Sequence, residues 1–109
     1  MQINERVVPQ GIILDVVGDL TYANRGLFKG AVEKAKSAGC RHLIVNLEKV
    51  PFIDSHGLAA LVIGLKIFDD GDKLRLVAPQ AQPKLLFELT MFDQIFHITD
   101  NVTTAKATL

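Results

Sequence analysis

Residues 42–68, HLIVNLEKVPFIDSHGLAALVIGLKIF, decide the fold of this chain. The continuous apolar run at 42–47 predicts a strand that is covered on both faces and therefore lies centrally in a sheet. After a short segment with polar residues, Leu58 to Phe68 is predicted to be helical, because its leucines recur at helical spacing. A buried strand followed by a helix is typical of an α/β fold.

On both sides of this stretch strands alternate with helices, which predicts one α/β domain over residues 1–109, with a mixed sheet packed against helices. The remaining strands are predicted at 3–8, 11–20 (ending near Gly18), 73–78 and 94–99. The remaining helices are predicted at 22–38, in a short segment after Pro83, and over 102–109. Residues 69–72 are expected to end the helix that follows Leu58. The predicted apolar face of the helix at 22–38 consists of Leu27, Phe28, Ala31, Ala35 and Ala38.

Composition and charge narrow the class of protein. The chain has 109 residues, 49% of them apolar, and its 12 basic residues balance its 12 acidic ones. A neutral chain argues against direct nucleic-acid binding, which usually needs a basic face. The longest apolar runs fall far short of the roughly 20 residues of a membrane-spanning helix, so no membrane insertion is expected. The lone Cys40 and an amino-terminal segment unlike a signal peptide favour a cytoplasmic location.

Asp54, Ser55 and His56 stand in a row and are the residue types of a hydrolase triad. At a helix start, neighbouring side chains point about 100° apart around the axis, so three consecutive residues cannot converge on one another. Ile53 also stands where the nucleophile elbow of such enzymes has a glycine. The three histidines of the chain lie on different predicted elements and form no metal cluster. We therefore expect no catalytic residues, no metal and no other cofactor.

Asp54-Ser55 is better explained as a helix start, where a side chain accepts hydrogen bonds from free backbone N–H groups. In the simplest interpretation Ser55 is a cap and nothing more. The alternative is that Ser55 is a phosphorylation site, because a helix N-terminus stabilises anions and Gly57 leaves room for a large group to approach. A phosphate there would add about −1.5 to −2 charge units at one sharply defined position.

The helix that follows Ser55 carries two apolar faces. The face predicted to join the core has Leu58, Leu61, Val62 and Leu65, with Phe68 at its edge. The opposite face holds the candidate partner contacts Ala60, Ile63, Gly64 and Ile67. Lys66 is the only charged residue between Gly57 and Phe68. Because a helix that is apolar all round is either buried or at an interface, this second face indicates a partner-binding surface or the packing of neighbouring helices.

The stretch NLEKVPFIDSHGLAALV at 46–62 resembles the signature of STAS domains, specifically of the bacterial anti-sigma-factor antagonists. VVGDL at 16–20 is similar to the step before the first helix of that family, and residues 72–105 are similar to its C-terminal half. The resemblance thus covers nearly the whole chain and implies a STAS-like fold. Two departures concern the site. Thr21 stands where many relatives have an aspartate near the partner surface, and His56 replaces the usual serine, threonine or alanine.

The resemblance also implies a regulatory switch. In the family, the serine directly after the aspartate, here Ser55, is phosphorylated by a serine kinase that is typically the anti-sigma factor itself. The unphosphorylated antagonist binds this kinase and frees a sigma factor, the phosphorylated form does not, and a PP2C-type phosphatase resets the switch. The alternative is a STAS module of another assembly, such as a lipid-transport subunit or a stress-signalling scaffold, that uses the same helix without regulated phosphorylation.

Overall fold

The apolar strand predicted at 42–47 lies at the centre of the sheet, as expected. The computed structural model describes residues 1–68 and 73–107, and of Lys73 only the backbone. Within these ranges the sheet has the order β1-β2-β3-β4-β5, so β3 has two strands on either side. β1 runs antiparallel to β2 and the other pairs are parallel, which confirms the predicted mixed sheet. The strands are β1 (Gln2–Val8), β2 (Gly11–Val17), β3 (His42–Lys49), β4 (Lys73–Val77) and β5 (His97–Thr99).

Helices follow or cover these strands, which confirms the α/β fold. In the described ranges the α-helices are α1 (Arg25–Ser37), α2 (Ser55–Ile67), α3 (Ala81–Leu89) and α4 (Val102–Ala107). Short 3₁₀ turns precede α1, at Tyr22–Asn24, and follow α3, at Phe92–Gln94. The predicted break at 69–72 and the last two residues of the predicted terminal helix lie outside the described residues. None of the described helices is long and apolar enough to cross a membrane.

Strand β3 is buried on both faces, which explains its unbroken apolar sequence. Leu43, Val45 and Leu47 belong to the large core, which also contains side chains of α1, α2 and α3. Ile44 belongs to a smaller cluster with Ala105 of α4. This division arises because successive side chains of a strand point to opposite faces of the sheet. The sheet therefore lies between helices, and β3 leads directly into the loop before α2.

Helices α1 and α2 pack closely because small residues of α2 lie between them. Ala60 and Gly64 are buried. A Cβ atom added at Gly64 would lie 3.3 to 3.7 Å from side-chain atoms of α1 and β4. Ala60 and Gly64 therefore expose little surface to a partner, although Ala60 still lines a groove between the two helices, and their part in partner binding stays a prediction. Of the four residues predicted on this face, Ile63 is 41% exposed and Ile67 is half-buried.

Two elements differ from their predicted form. In α1, Leu27 is 54% exposed while Val32 is buried, so the buried face is rotated relative to the predicted one. Strand β5 begins only at His97, because the chain makes a 3₁₀ turn at Phe92–Gln94. That turn follows Met91, which adopts a left-handed conformation with a φ of 60°. These differences leave the predicted order of elements unchanged.

Candidate functional site

Ser55 is the first residue of α2 and is exposed. Asp54 is the N-cap of this helix: its backbone is extended, and its Oδ1 accepts a hydrogen bond from the Gly57 N–H at 2.7 Å. Such a side chain satisfies one of the N–H groups that have no partner in the first turn of a helix. Of the two residues predicted as caps, Asp54 therefore fills this role, and the Ser55 hydroxyl is not needed for it.

Two loops meet beside the start of α2. Leu20, after β2, forms an isolated parallel bridge with Ile53. The Leu20 N–H donates to Phe52 O at 3.0 Å, and the Asp54 N–H donates to Leu20 O at 3.2 Å. The second carboxylate oxygen of Asp54, Oδ2, accepts from the Tyr22 N–H at 3.1 Å. These bonds hold the 3₁₀ turn before α1 next to the first turn of α2.

Gly57 allows the two loops to approach each other. A Cβ atom at this position would lie 2.1 Å from Leu20 O and 2.8 Å from Leu20 C, closer than real Cβ atoms come to other atoms. The prediction that Gly57 leaves room for an approaching group is therefore wrong, because the backbone of Leu20 occupies that space and Gly57 is buried. The missing side chain serves the packing of the site and not access to it.

The hydrogen bonds of Asp54 also keep it ionised. The bond from the Gly57 N–H is the largest cause that lowers the pKa of Asp54 below its ordinary value of 3.8, and the bond from the Tyr22 N–H lowers this pKa further. Backbone donors have this effect because they stabilise the charged form of the carboxyl group that accepts from them. Asp54 is thus a negative charge whose two carboxylate oxygens accept hydrogen bonds from the backbone N–H groups of Gly57 and Tyr22.

Side chains from three elements stack next to Ser55. The rings of Tyr22 and His56 meet edge to face with their centroids 4.9 Å apart. The Arg25 guanidinium lies 3.7 Å from the centroid of the Tyr22 ring, a cation–π contact. Because the His56 ring lies against Tyr22 while Asp54 accepts backbone hydrogen bonds, the described residues do not link Ser55, His56 and Asp54 as a triad.

Gln82 fixes the loop before α2, a role that no pattern in the sequence predicts. Gln82, in α3, binds both backbone groups of one residue: its Oε1 accepts from the Ile53 N–H at 2.9 Å, and its Nε2 donates to Ile53 O at 3.0 Å. The side-chain amide thus takes the place that a neighbouring strand would occupy. Tyr22 and Arg25 also belong to the site without a sequence signal that places them there. All three are distant from Ser55 in the sequence, and no local pattern around them signals the contact.

The other predicted partner contacts differ in exposure. Thr21 is half-buried, and its N–H donates to Asn24 Oδ1 at 2.8 Å. Ile63 is exposed and Ile67 is half-buried. Their part in partner binding stays a prediction. Within residues 1–68 and 73–107, no group of three or more His, Cys, Asp or Glu side chains could hold a metal ion.

The family of the chain follows from its match to known sequences. Residues 1–105 match the family model of the STAS domain. The chain belongs to the STAS domain family. The matched residues include the stretch at 46–62, the loop at Leu20 and the elements after α2. Every residue of the site described above therefore lies within the match. No curated protein sequence matches this STAS domain significantly.

Solved structures of anti-sigma factor antagonists resemble this STAS domain over nearly its whole length. A Thermotoga maritima protein described as a candidate anti-sigma factor antagonist is 29% identical, with 97% of this chain and 92% of that chain covered and a TM-score of 0.90. An anti-sigma factor antagonist from Mycobacterium paratuberculosis is 17% identical, with 98% of this chain and 92% of that chain covered and a TM-score of 0.90. Bacillus SpoIIAA in its phosphorylated form is 14% identical, with 98% of this chain and 97% of that chain covered and a TM-score of 0.74.

Gly57→Ala is expected to destabilise the STAS domain by about 1–3 kcal/mol or more, the usual cost of overpacking, because its Cβ would overlap Leu20 O. Gly30→Ala is the matched control. Nothing lies within 4 Å of a Cβ at that helical position, and the change is expected to raise stability by about 0.5–1 kcal/mol. Urea unfolding measures both effects. Equal unfolding midpoints for Gly57→Ala and the native chain would show that the Leu20 contact does not restrict this position.

Asp54→Asn tests the ionised cap. Because the folded-state pKa of Asp54 is lowered, its charge stabilises the fold above the unfolded-state pKa, and this stabilisation is lost as the pH falls through the folded-state pKa. The native chain is therefore expected to exceed Asp54→Asn in free energy of unfolding near neutral pH, and this difference should shrink below about pH 4. Urea unfolding at several pH values measures it, with the exposed Asp93→Asn as the control for loss of one charge. A difference that is independent of pH would contradict the assignment.

Proposed function

We propose that this STAS domain is an anti-sigma-factor antagonist that regulates transcription and is switched by phosphorylation of Ser55. The unphosphorylated chain binds an anti-sigma factor that is also a serine kinase, so that a sigma factor is released. Phosphorylation of Ser55 by this kinase ends the binding, and a PP2C-type phosphatase restores the binding state. The protein acts in the cytoplasm by binding, without catalysis and without a cofactor.

The observation that carries this proposal is the exposure of Ser55 at a rigidly held helix start. Asp54 supplies the cap, so the Ser55 hydroxyl is available to a kinase. The positive end of the helix dipole stabilises a phosphate at that position. The bridge between Leu20 and Ile53 and the hydrogen bonds of Gln82 tie the loop before α2 to neighbouring elements. A kinase would therefore meet Ser55 next to a loop whose backbone is hydrogen-bonded on both sides.

Comparison with relatives supports the same function. The Thermotoga maritima relative, at 29% identity over nearly the whole chain, is described as a candidate anti-sigma factor antagonist. SpoIIAA, whose fold this chain shares, has been solved in a phosphorylated form. A domain of this fold thus accommodates a phosphate. The extension of that property to Ser55 rests on the position of this residue at the start of α2.

We place the partner contacts on the exposed surface around Ser55. Ile63 and Ile67 lie further along α2, and Thr21 lies in the loop that meets the start of this helix. Burial of the apolar surface of Ile63 favours binding by about 25 cal/mol per Å². A phosphate beside this surface opposes binding, because it must be desolvated without a partner or it meets like charge. The two effects together make binding depend on the state of Ser55.

Incubation with the cognate kinase and ATP is expected to add one phosphate, which mass spectrometry of peptides should locate on Ser55. Ser55→Ala is expected to abolish phosphorylation. It should leave the fold intact, since an exposed substitution typically changes stability by no more than about 0.5 kcal/mol. Because the variant stays in the unphosphorylated state, it is expected to keep binding the partner. Ser37→Ala is the matched control, because Ser37 is the other serine of the chain and is also exposed. This control should be phosphorylated like the native chain.

Other outcomes of this experiment would count against the proposal. Phosphate found only on Thr21 or His56 would contradict the assignment of Ser55. Partner binding that does not change when Ser55 is phosphorylated would favour the alternative, a STAS module of another assembly such as a lipid-transport subunit or a stress-signalling scaffold.

A further inference from the structure

A groove of about 480 Å³ lies between α1 and α2, next to the stacked rings at the start of α2. We call it the α1–α2 groove and define it by six of its lining residues: Tyr22, Arg25, Lys29, His56, Ala59 and Ile63. It is open to solvent, since Ala59, Ile63 and the cationic residues are exposed, and the buried Ala60 also lines it. The groove therefore faces solvent at the same end of α2 as Ser55.

The floor of the α1–α2 groove is apolar and open. Ile63 exposes 41% of its surface, although it could have been polar without cost to the core. Gly26 of α1 also lines the groove, and a Cβ atom added there would meet nothing within 4 Å. Glycine within a helix destabilises it by roughly 0.5–1 kcal/mol relative to alanine. Because no packing inside the chain requires Gly26, its effect is to leave space in the groove.

The rim of the α1–α2 groove is cationic. Arg25 and Lys29 lie one helical turn apart on α1, and none of the groove-lining residues in the described part of the chain is acidic. The salt bridges among the described residues involve neither cation. The nearby carboxylate of Asp54 is engaged by backbone N–H groups. Arg25 is held in place by its contact with the Tyr22 ring and by a hydrogen bond to Tyr22 O.

We propose that the α1–α2 groove binds an acidic amphipathic segment of the protein partner. An apolar side chain of that segment packs on Ala59 and Ile63 over Gly26, and flanking carboxylates pair with Arg25 and Lys29. The inference rests on the proposed function, because it names the surface by which the partner is recognised. Charge complementarity favours this occupant. Groups of opposite sign across an interface speed association and exclude partners of the wrong sign.

This occupant also gives phosphorylation a physical effect on binding. Ser55 immediately precedes His56, which lies at the rim of the groove. A phosphate on Ser55 brings about −1.5 to −2 charge units to that rim. It repels the carboxylates of the partner segment and offers the nearby cations an anion from the chain itself. Phosphorylation therefore weakens binding of an acidic segment without moving α1 or α2.

A matched pair of synthetic helical peptides tests the charge preference. Both carry leucines at the same positions, and the positions around them are glutamates in one peptide and lysines in the other. The native chain is expected to bind the acidic peptide at least about tenfold more tightly than the basic one, as measured by fluorescence anisotropy. Similar affinities for both peptides, or no binding of the acidic peptide, would overturn the proposal.

Two pairs of variants locate the binding to the groove. Lys29→Glu should weaken binding of the acidic peptide at least about tenfold, whereas Lys84→Glu, an equal charge reversal on α3, should change it less than about threefold. Gly26→Leu should fill the groove and weaken binding, whereas Gly30→Leu, at a neighbouring exposed glycine, should not. Thermal melting is used to check that all four variants fold. Equal effects of the two members of either pair would place the peptide elsewhere and contradict the proposal.

Failure of this inference can be told apart from failure of the proposed function. If the kinase phosphorylates Ser55 but the chain shows no preference for the acidic peptide, the groove proposal is wrong. The proposed phosphorylation switch at Ser55 is not contradicted by that result. If the peptide binds the groove but no kinase phosphorylates Ser55, the proposed function is wrong.

Discussion

The contact between the Leu20 carbonyl group and the first turn of α2 is the constraint on which the rest of the site depends. The oxygen accepts the Asp54 N–H and occupies the space where a side chain at Gly57 would begin. This close approach joins the loop after β2 to the loop after β3. Asp54 can then cap α2 and accept from the Tyr22 N–H as well. The exposed, fixed position of Ser55 follows from this arrangement of backbone groups and not from any bond that the serine itself makes.

The spacing of α1 and α2 determines which part of α2 a partner can reach. Ala60 and Gly64 permit the close approach of the two helices and are buried by it, whereas Ile63 stays exposed. At this exposed edge the helices form the α1–α2 groove, with its cations on α1 and apolar side chains on α2. A phosphate at the rim of such a groove changes the charge that a partner meets without changing the core. A rigid framework and a switched surface are thus compatible in one small domain.

The sequence predicts those features that depend on neighbouring residues. The apolar run of β3 identifies a strand buried on both faces, and Asp54 at the boundary between strand and helix identifies the N-cap. Hydrophobic periodicity does not predict which way the buried face of α1 is turned. It also does not predict that Ala60 and Gly64 of α2 are buried. Both features depend on where each helix lies relative to the other. The stack of Tyr22, Arg25 and His56, and the bonds of Gln82, join segments that are distant in the chain. An isolated tyrosine or glutamine gives no sign of such a contact.

Control of partner binding by one phosphate is tested most directly by the dissociation constant of the kinase for this chain, measured with Ser55 unphosphorylated and phosphorylated. We predict that the unphosphorylated chain binds at least about tenfold more tightly, because the phosphate adds like charge and desolvation cost at the binding surface. The melting temperatures of the two states should remain close, since the phosphate lies at an exposed helix N-terminus. Equal dissociation constants in the two states would contradict the phosphorylation switch, even if Ser55 accepts the phosphate.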